Sequence, residues 1–239
     1  MGRLLLTNTS RRIYYNTYIG HIKGAGGMDT KKWYIEKMAE RTVQALKENY
    51  FDAAFFKDKK DLLDRVIGYV RPKMTIGIGG SMTLREMGLV ERLKKEKVTV
   101  LDHWDPKLAK EEIQGMRIRH LTSDLFISGS NAITENGEIV NIDGFGNRVN
   151  SITFGPKKVI VIAGYNKIVP DVEAAIERIK NIAAPMNAKR LNLPLPCAKT
   201  GYCHDCKSEQ RICRIVSILE RKPGATDISV FIINKAFGF

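Results

Sequence analysis

All four cysteines of the chain fall between Cys197 and Cys213, in the run PCAKTGYCHDCKSEQRIC. Their spacing is C-x5-C-x2-C-x6-C, through Cys203 and Cys206. Thiolates that converge on one point hold an iron–sulfur cluster or a zinc ion. A zinc ribbon needs two Cys-x2-Cys knuckles, and only Cys203–Cys206 supplies one. The closely repeated cysteines of a ferredoxin are absent too. Spacing therefore leaves three readings open: a cluster, zinc, or free or redox-paired thiols. The neighbours favour anionic sulfur, because Lys199, Lys207, Arg211 and Arg214 stabilise a thiolate. Ser208 reads as the N-cap of a helix running to about Arg221. That helix would set Cys206 near its positive end and Cys213 one turn in. Gly201 permits a tight turn, and His204 reads as an exposed spacer.

A second chemistry-bearing segment is Gly77-x-Gly79-Gly80-Ser81-x-Thr83. Glycines let a ligand approach the backbone, and Ser81 and Thr83 add hydroxyls. No Gly-Lys-Ser/Thr follows, so this is no Walker loop, and Met82 stands where a dinucleotide fingerprint wants glycine. The segment either binds an anion or makes a strand-to-helix turn capped by Ser81. Glu86, one turn further on, faces either the ligand or solvent.

A third segment runs from Ser128 to Gly137. Ser130 and Asn131 follow the carboxyl end of a strand, where open α/β sheets bind ligands. Glu135 is a candidate general base or carboxylate nucleophile. The bland alternative makes Asn136-Gly137 a type I′ turn and Glu135 an exposed strand end. Further on, Asp143, Gly144, Asn147 and Arg148 gather around glycines. Arg148 either clamps a carboxylate or phosphate or pairs with Asp143.

Alternating strands and helices must position these segments. Apolar residues at Ile35, Met38, Ala39, Val43 and Leu46 predict a helix over 29–49. Strands are expected at Ala53–Phe56, Met74–Ile78, Val98–Leu101, Leu125–Ser128, Val159–Ala163 and Ile228–Ile233. Helices are expected after Asp58, after Ser81, over 106–117 and from Pro170. Alternation in 131–154, broken at Asn136-Gly137 and Asp143-Gly144, predicts antiparallel hairpins. The class is α/β: a three-layer, mostly parallel sheet flanked by helices, with a hairpin insertion and a Cys-rich C-terminal segment. His103 and His120 lack partners at ligand spacing and read as structural.

The formal charge is +13. Residues 1–27 carry Arg3, Arg11, Arg12 and Lys23 and no acid, and the cysteine segment adds more. The other lysines are dispersed and no nucleic-acid motif accompanies them, so nucleic acid is not the expected partner. Residues 1–27 read as a basic extension, disordered or from an upstream start. Gly24–Gly27 forms a flexible junction, and Met28 is a candidate natural start. Residues 28–239 form the expected single domain. No apolar run reaches the length of a membrane span, and no secretory h-region is present. A reducing cytoplasm is the expected location, where clustered cysteines serve metals or redox chemistry.

The runs GIGGSMTLREMG, ITENGEIVNIDGFGNRVNSITFGPKKVIVIAGYNKIV and AIERIKNIAAPMNAKRL, with the cysteine tail, resemble the LUD (lactate-utilisation) domain family over residues 28–239. The resemblance implies the fold of the sugar-phosphate isomerase and CoA-transferase superfamily. It implies a component of iron–sulfur-dependent oxidation of L-lactate or a related organic acid, with other oxidoreductase subunits as partners. A 4Fe–4S cluster on the four cysteines is the implied cofactor, with zinc as the alternative, and a small anionic substrate or cofactor would bind the glycine-rich edge. In related CoA transferases a glutamate in a Glu-Asn-Gly context forms the acyl intermediate. Glu135-Asn136-Gly137 resembles that context and implies an acyl-transferase- or isomerase-like alternative. A zinc-stabilised binding module is the third reading, and a homodimer suits all three.

Overall fold

The computed structural model describes residues 29–239. The expected basic extension, its glycine junction and the start at Met28 lie outside the described residues. A compact unit spans Ala39–Phe239.

The strands are β1 (Asp52–Phe56), β2 (Thr75–Ile78), β3 (Thr99–Asp102), β4 (Leu125–Gly129), β5 (Ala132–Thr134), β6 (Ile139–Asp143), β7 (Lys158–Gly164), β8 (Ile168–Val169), β9 (Ile215–Leu219) and β10 (Asp227–Ile233). The helices are α1 (Thr30–Glu48), α2 (Lys59–Ile67), α3 (Met82–Glu86), α4 (Leu89–Leu93), α5 (Lys110–Arg119), α6 (Asn147–Thr153), α7 (Val172–Arg178), α8 (Ala184–Arg190) and α9 (Pro196–Thr200). A wide turn, Ile179–Ala183, joins α7 to α8.

Six strands make one wholly parallel sheet in the order β1-β10-β7-β4-β2-β3. The unbroken apolar run of β7 follows from burial on both faces. Val159, Val161 and Ala163 point to one side, where Ala39, Val43 and Leu46 of α1 pack. Ile160 and Ile162 point to the other, with Leu62 and Val66 of α2 and Leu89, Val90 and Leu93 of α4. This is the expected three-layer α/β arrangement. The chain leaves β2 for β3 on one side and returns to β4 on the other. The loops after β2 and β4 therefore diverge at a switch point, where such sheets leave a crevice.

A second sheet, β8-β5-β6-β9, is mixed. Its β5–β6 and β6–β9 pairs are antiparallel and its β5–β8 pair is parallel. Ala132, Val140 and Ile142 bury one face against Ala175, Ile179 and Ala183.

Several expectations need correction. The helix expected from Ser208 to Arg221 does not form: residues 209–214 are turns and coil, and β9 follows. The β-branched run Ile215-Val216-Ser217-Ile218 completes the edge of the second sheet by pairing with β6. Pairing across the sheet outweighs weak local helix propensity. Cys206 accordingly does not lead into a helix, and Cys213 lies in coil. Only the first hairpin of 131–154 exists. After Asp143 the chain enters α6, because the Asp143 carboxylate accepts a hydrogen bond from Val149 N (3.1 Å) and ties down the helix start. The turn at Glu135–Gly137 is not type I′. Gly137 N donates to Thr134 O and Thr134 N to Glu138 O, with Gly137 alone of the three at positive φ (83°). That is a three-residue hairpin loop with glycine in the left-handed position. The helix after Ser81 breaks at Gly88 (φ 72°) into α3 and α4. The helix expected over 106–117 begins only at Lys110, where the Glu112 carboxylate accepts from Ala109 N (2.8 Å).

Candidate functional site

A cleft of about 340 Å³ opens at the carboxyl ends of the parallel strands. Gly80, Ser81 and Thr83 enter after β2, His103 and Trp104 after β3, Ser130 and Asn131 after β4, and Lys167 after β7. The second sheet supplies Ile142, Asp143, Gly144 and, from α6, Arg148. Arg117, Asn187, Ile212, Cys213 and Phe239 complete the wall.

Of the residues expected at a ligand site, Gly80, Ser81, Thr83, Ser130, Asn131, Asp143, Gly144 and Arg148 line this cleft. Four others do not. Gly79 lies under Ser128, whose Oγ occupies the space a side chain on Gly79 would need. The Glu86 carboxylate accepts from Gly238 N (2.7 Å). Asn147 opens α6 and accepts from Ser151 Oγ (2.8 Å). Glu135 sits on the hairpin turn, its carboxylate 3.2 Å from Arg41 Nη2 and its side chain 23% exposed.

The polar groups of the cleft divide into those already engaged and those that are not. Arg148 is engaged. Its Nε and Nη2 donate to Asp143 Oδ1 (2.9 and 2.6 Å), Nη1 to Asn141 Oδ1 (2.5 Å) and Nη2 to Asn131 Oδ1 (2.9 Å). Arg148 thus fixes the loop and contributes charge to the cleft through space. The Ser130 hydroxyl donates to Ala132 O (2.8 Å). Ser81 Oγ accepts from Leu84 N (3.4 Å), so the cap expected at Ser81 is present. Gly80 makes room for protein rather than ligand alone: the Trp104 indole lies where its Cβ would stand, at 2.5 Å. Arg190 (4.2 Å to the ring) and Arg85 (5.0 Å) both lie over that indole, which attracts cations through its ring face.

The groups with spare hydrogen-bonding capacity are Arg117, His103 and Lys167. Among the described residues, Arg117 Nε and His103 Nδ1 are buried without a hydrogen-bond partner. Arg117 lies over the Phe145 ring at 4.2 Å. Burial, then the neighbouring His120 and Arg117, lower the His103 pKa to about 4. Lys167 is 4% exposed. Burial, then Arg178 and Arg148, push its pKa down to about 7 against the opposing pull of Glu86.

Lys167, Arg117 and Trp104 are not among the residues expected at the site, and His103 was expected to be structural. A signal for Lys167 was present. Tyr165-Asn166-Lys167 directly follows the continuous apolar strand, at the sheet edge where ligands bind. Arg117 gave no such signal, because it reaches the cleft from α5, a helix with no buried residue.

All four cysteines line one small cavity of about 20 Å³, with Lys180, His204, Asp205 and Arg211. Arg211 closes the loop, donating to Cys206 O (2.7 Å), Cys213 O (2.7 Å) and Asp205 Oδ1 (2.8 Å). The His204 ring bonds Thr200 Oγ1 (2.7 Å) and stacks on Tyr202. Among the described residues, no group of three His, Cys, Asp or Glu side chains is close enough to hold a metal ion as it stands. The expectation that nearby cations depress the thiol pKa values fails at two positions. Burial pushes Cys213 up to about 11 despite Arg211, and burial with its sister thiols raises Cys197. Cys213, Ile212 and Ala184 belong to both the cysteine cavity and the cleft, so the two spaces share a wall.

A parallel α/β sheet with its cleft beyond the carboxyl ends of the strands defines the class of protein. Residues 39–233 match the LUD domain, and the chain belongs to that family. Solved structures it is similar to include a DUF162 family protein from Deinococcus radiodurans, at 10% identity and TM-score 0.48, covering 84% of this chain and 98% of that one. Ribose 5-phosphate isomerase from Plasmodium falciparum gives 21% identity and TM-score 0.30 over 47% and 52% of the two chains. The eIF2B beta subunit from Chaetomium thermophilum gives 16% and 0.35 over 48% and 44%. No curated protein matches. Among the described residues no helix is long and apolar enough to cross a membrane.

Proposed function

We propose that this chain is a component of lactate or related organic-acid oxidation, binding a small carboxylate in the cleft and carrying a redox cofactor on its four cysteines. Membership of the LUD domain family supports the lactate-related role. The observation that carries the reading is the wall shared by the two cavities at Ala184, Ile212 and Cys213. An acid bound on one side would lie one residue's thickness from a group held on the other. The cleft suits an anion: Arg117 and Arg148 line it, and a desolvated cation attracts a carboxylate more strongly than one in water. The four thiols of the second cavity, with Lys180 and Arg211 beside them, are the donor type of a 4Fe–4S cluster, and they would have to draw together to hold one and supply its one-electron transfer. The thiols must shed their protons as the cofactor binds. The chain's own residues would hold the loop through Arg211, orient the acid and exclude water from it.

Anaerobic purification with iron, sulfide and zinc quantified together tests the cofactor, and calorimetry with L-lactate and pyruvate tests the cleft. Iron with equimolar sulfide, lost in Cys213→Ser, is expected, together with binding of either acid. Zinc without iron would make the tail a structural element, and absence of binding by both acids would overturn the organic-acid reading.

A further inference from the structure

Lys167 sits in an unusual position. It is almost fully buried, it lines the cleft, and among the described residues it has neither a hydrogen bond nor an ion pair. A buried lysine without a partner is costly, and nothing in the packing of the core requires one here. The short helical turn Tyr165–Lys167 fixes it just beyond the end of β7. Gly238, opposite, leaves space beside the amine, since Nζ lies 3.5 Å from where its Cβ would be.

The charges around the amine are held by other groups. Arg178 donates through Nε to Asn166 O (3.1 Å) and through Nη1 to Asn131 O (2.7 Å). Arg148 is tied to Asp143, and the Glu86 carboxylate is turned to Gly238 N. Two fixed cations, against one acid whose carboxylate is bound to Gly238 N, leave Lys167 in a desolvated, net positive setting, which favours the neutral amine. That is one of the two ways in which lysine becomes a nucleophile.

We propose that Lys167 is a covalent capture site for 2-oxo acids, which it holds as an imine; the proposal rests on the reading of the cleft as an organic-acid site. The Nζ lone pair forms a bond to the ketone carbon while the C=O π pair moves to oxygen. Both amine hydrogens then leave with that oxygen as one water molecule, and a C=N bond remains. No oxidant or reductant enters the step. The acid's carboxylate faces the positive charge of Arg148. The lowered pKa of Lys167 makes a large fraction of the amine available near neutral pH.

Pyruvate and borohydride, added together to the full chain, test this by intact mass and peptide mapping. One adduct, equal to pyruvate less one water plus two hydrogens, is expected on Lys167. It should be absent from Lys167→Met and from Lys167→Arg, and L-lactate should suppress it by competition. An unmodified wild-type chain, or adducts that persist in the variants, would overturn the proposal. L-Lactate has no ketone and separates the two readings. If it binds by calorimetry while pyruvate leaves no adduct, the imine fails and the organic-acid cleft stands. If neither acid binds, both fail.

Discussion

Lys167 imposes a stability cost whose pH dependence is predictable. In the unfolded chain its ammonium holds a proton to about 10.5, in the fold only to about 7. Between those values the unfolded state binds more protons, so stability rises with pH across the window. Lys167→Met removes that slope. The variant should be more stable than wild type by on the order of 4 kcal/mol at pH 7, with the gap closing as pH rises, as urea unfolding at two pH values will measure. His103 acts in the same direction further down the scale. Its pKa falls from 6.5 to about 4, chiefly through burial. The unfolded chain therefore takes up a proton first, and stability is lost as pH drops from about 6.5 towards 4. Replacing His103 with Gln should flatten that limb of the unfolding curve. Asp143 behaves differently, because it compensates a charge that is already buried: Arg148 is 12% exposed. Asp143→Ala leaves that guanidinium without its anion and should cost about 3–5 kcal/mol, read as a lowered denaturation midpoint.

At the scale of elements, the parallel sheet was readable in the sequence because its strands are buried on both faces and carry unbroken apolar runs. Val159–Ala163 is the clearest case. Helix α1 was readable for the complementary reason: Ala39, Val43 and Leu46 repeat at helical spacing on its buried face. The second sheet was only half legible. β5 and β6 are joined by a short loop, so their pairing is local. β9 pairs with β6 across a long stretch of chain, and nothing within residues 208–221 announces that distant partner. The candidate site divides along the same line. Segments rich in glycine and small polar residues drew attention and do reach the cleft, whereas Arg117 and Lys167 act only through neighbours brought in by the fold. Glu135 shows the converse, a chemically suggestive residue that the hairpin carries away from the cleft and pairs with Arg41. The hairpin loop is held by Gly137, whose φ is 83° and whose missing Cβ would lie 2.6 Å from the backbone of Ala45 in α1. Gly137→Ala combines backbone strain with that collision and should destabilise by at least about 1–3 kcal/mol, measurable as a drop in Tm.

At the scale of the molecule, the two adjoining cavities share a wall, and under the proposed function that wall would couple acid binding to cofactor loading. Ile212 and Cys213 lie on the one loop that bounds both spaces. A cofactor organising the four sulfurs would restrain that loop, and a restrained loop would cost an incoming acid less to order. The affinity for L-lactate should therefore be higher in the metal-loaded protein than after chelation. Equal affinity in the two states would show that the shared wall transmits nothing.

The last strand in sequence order occupies an inner position in the large sheet. β10 separates β1 from β7, and β1 has no other neighbour in that sheet. During synthesis β1 is therefore a solitary strand until residue 233 has left the ribosome, and until then the apolar edges of β1 and β7 are open to chaperones and to other nascent chains. A stop codon placed just before Asp227 would leave β1 without a neighbour and the edge of β7 uncovered, and the product should be recovered from cells as aggregate.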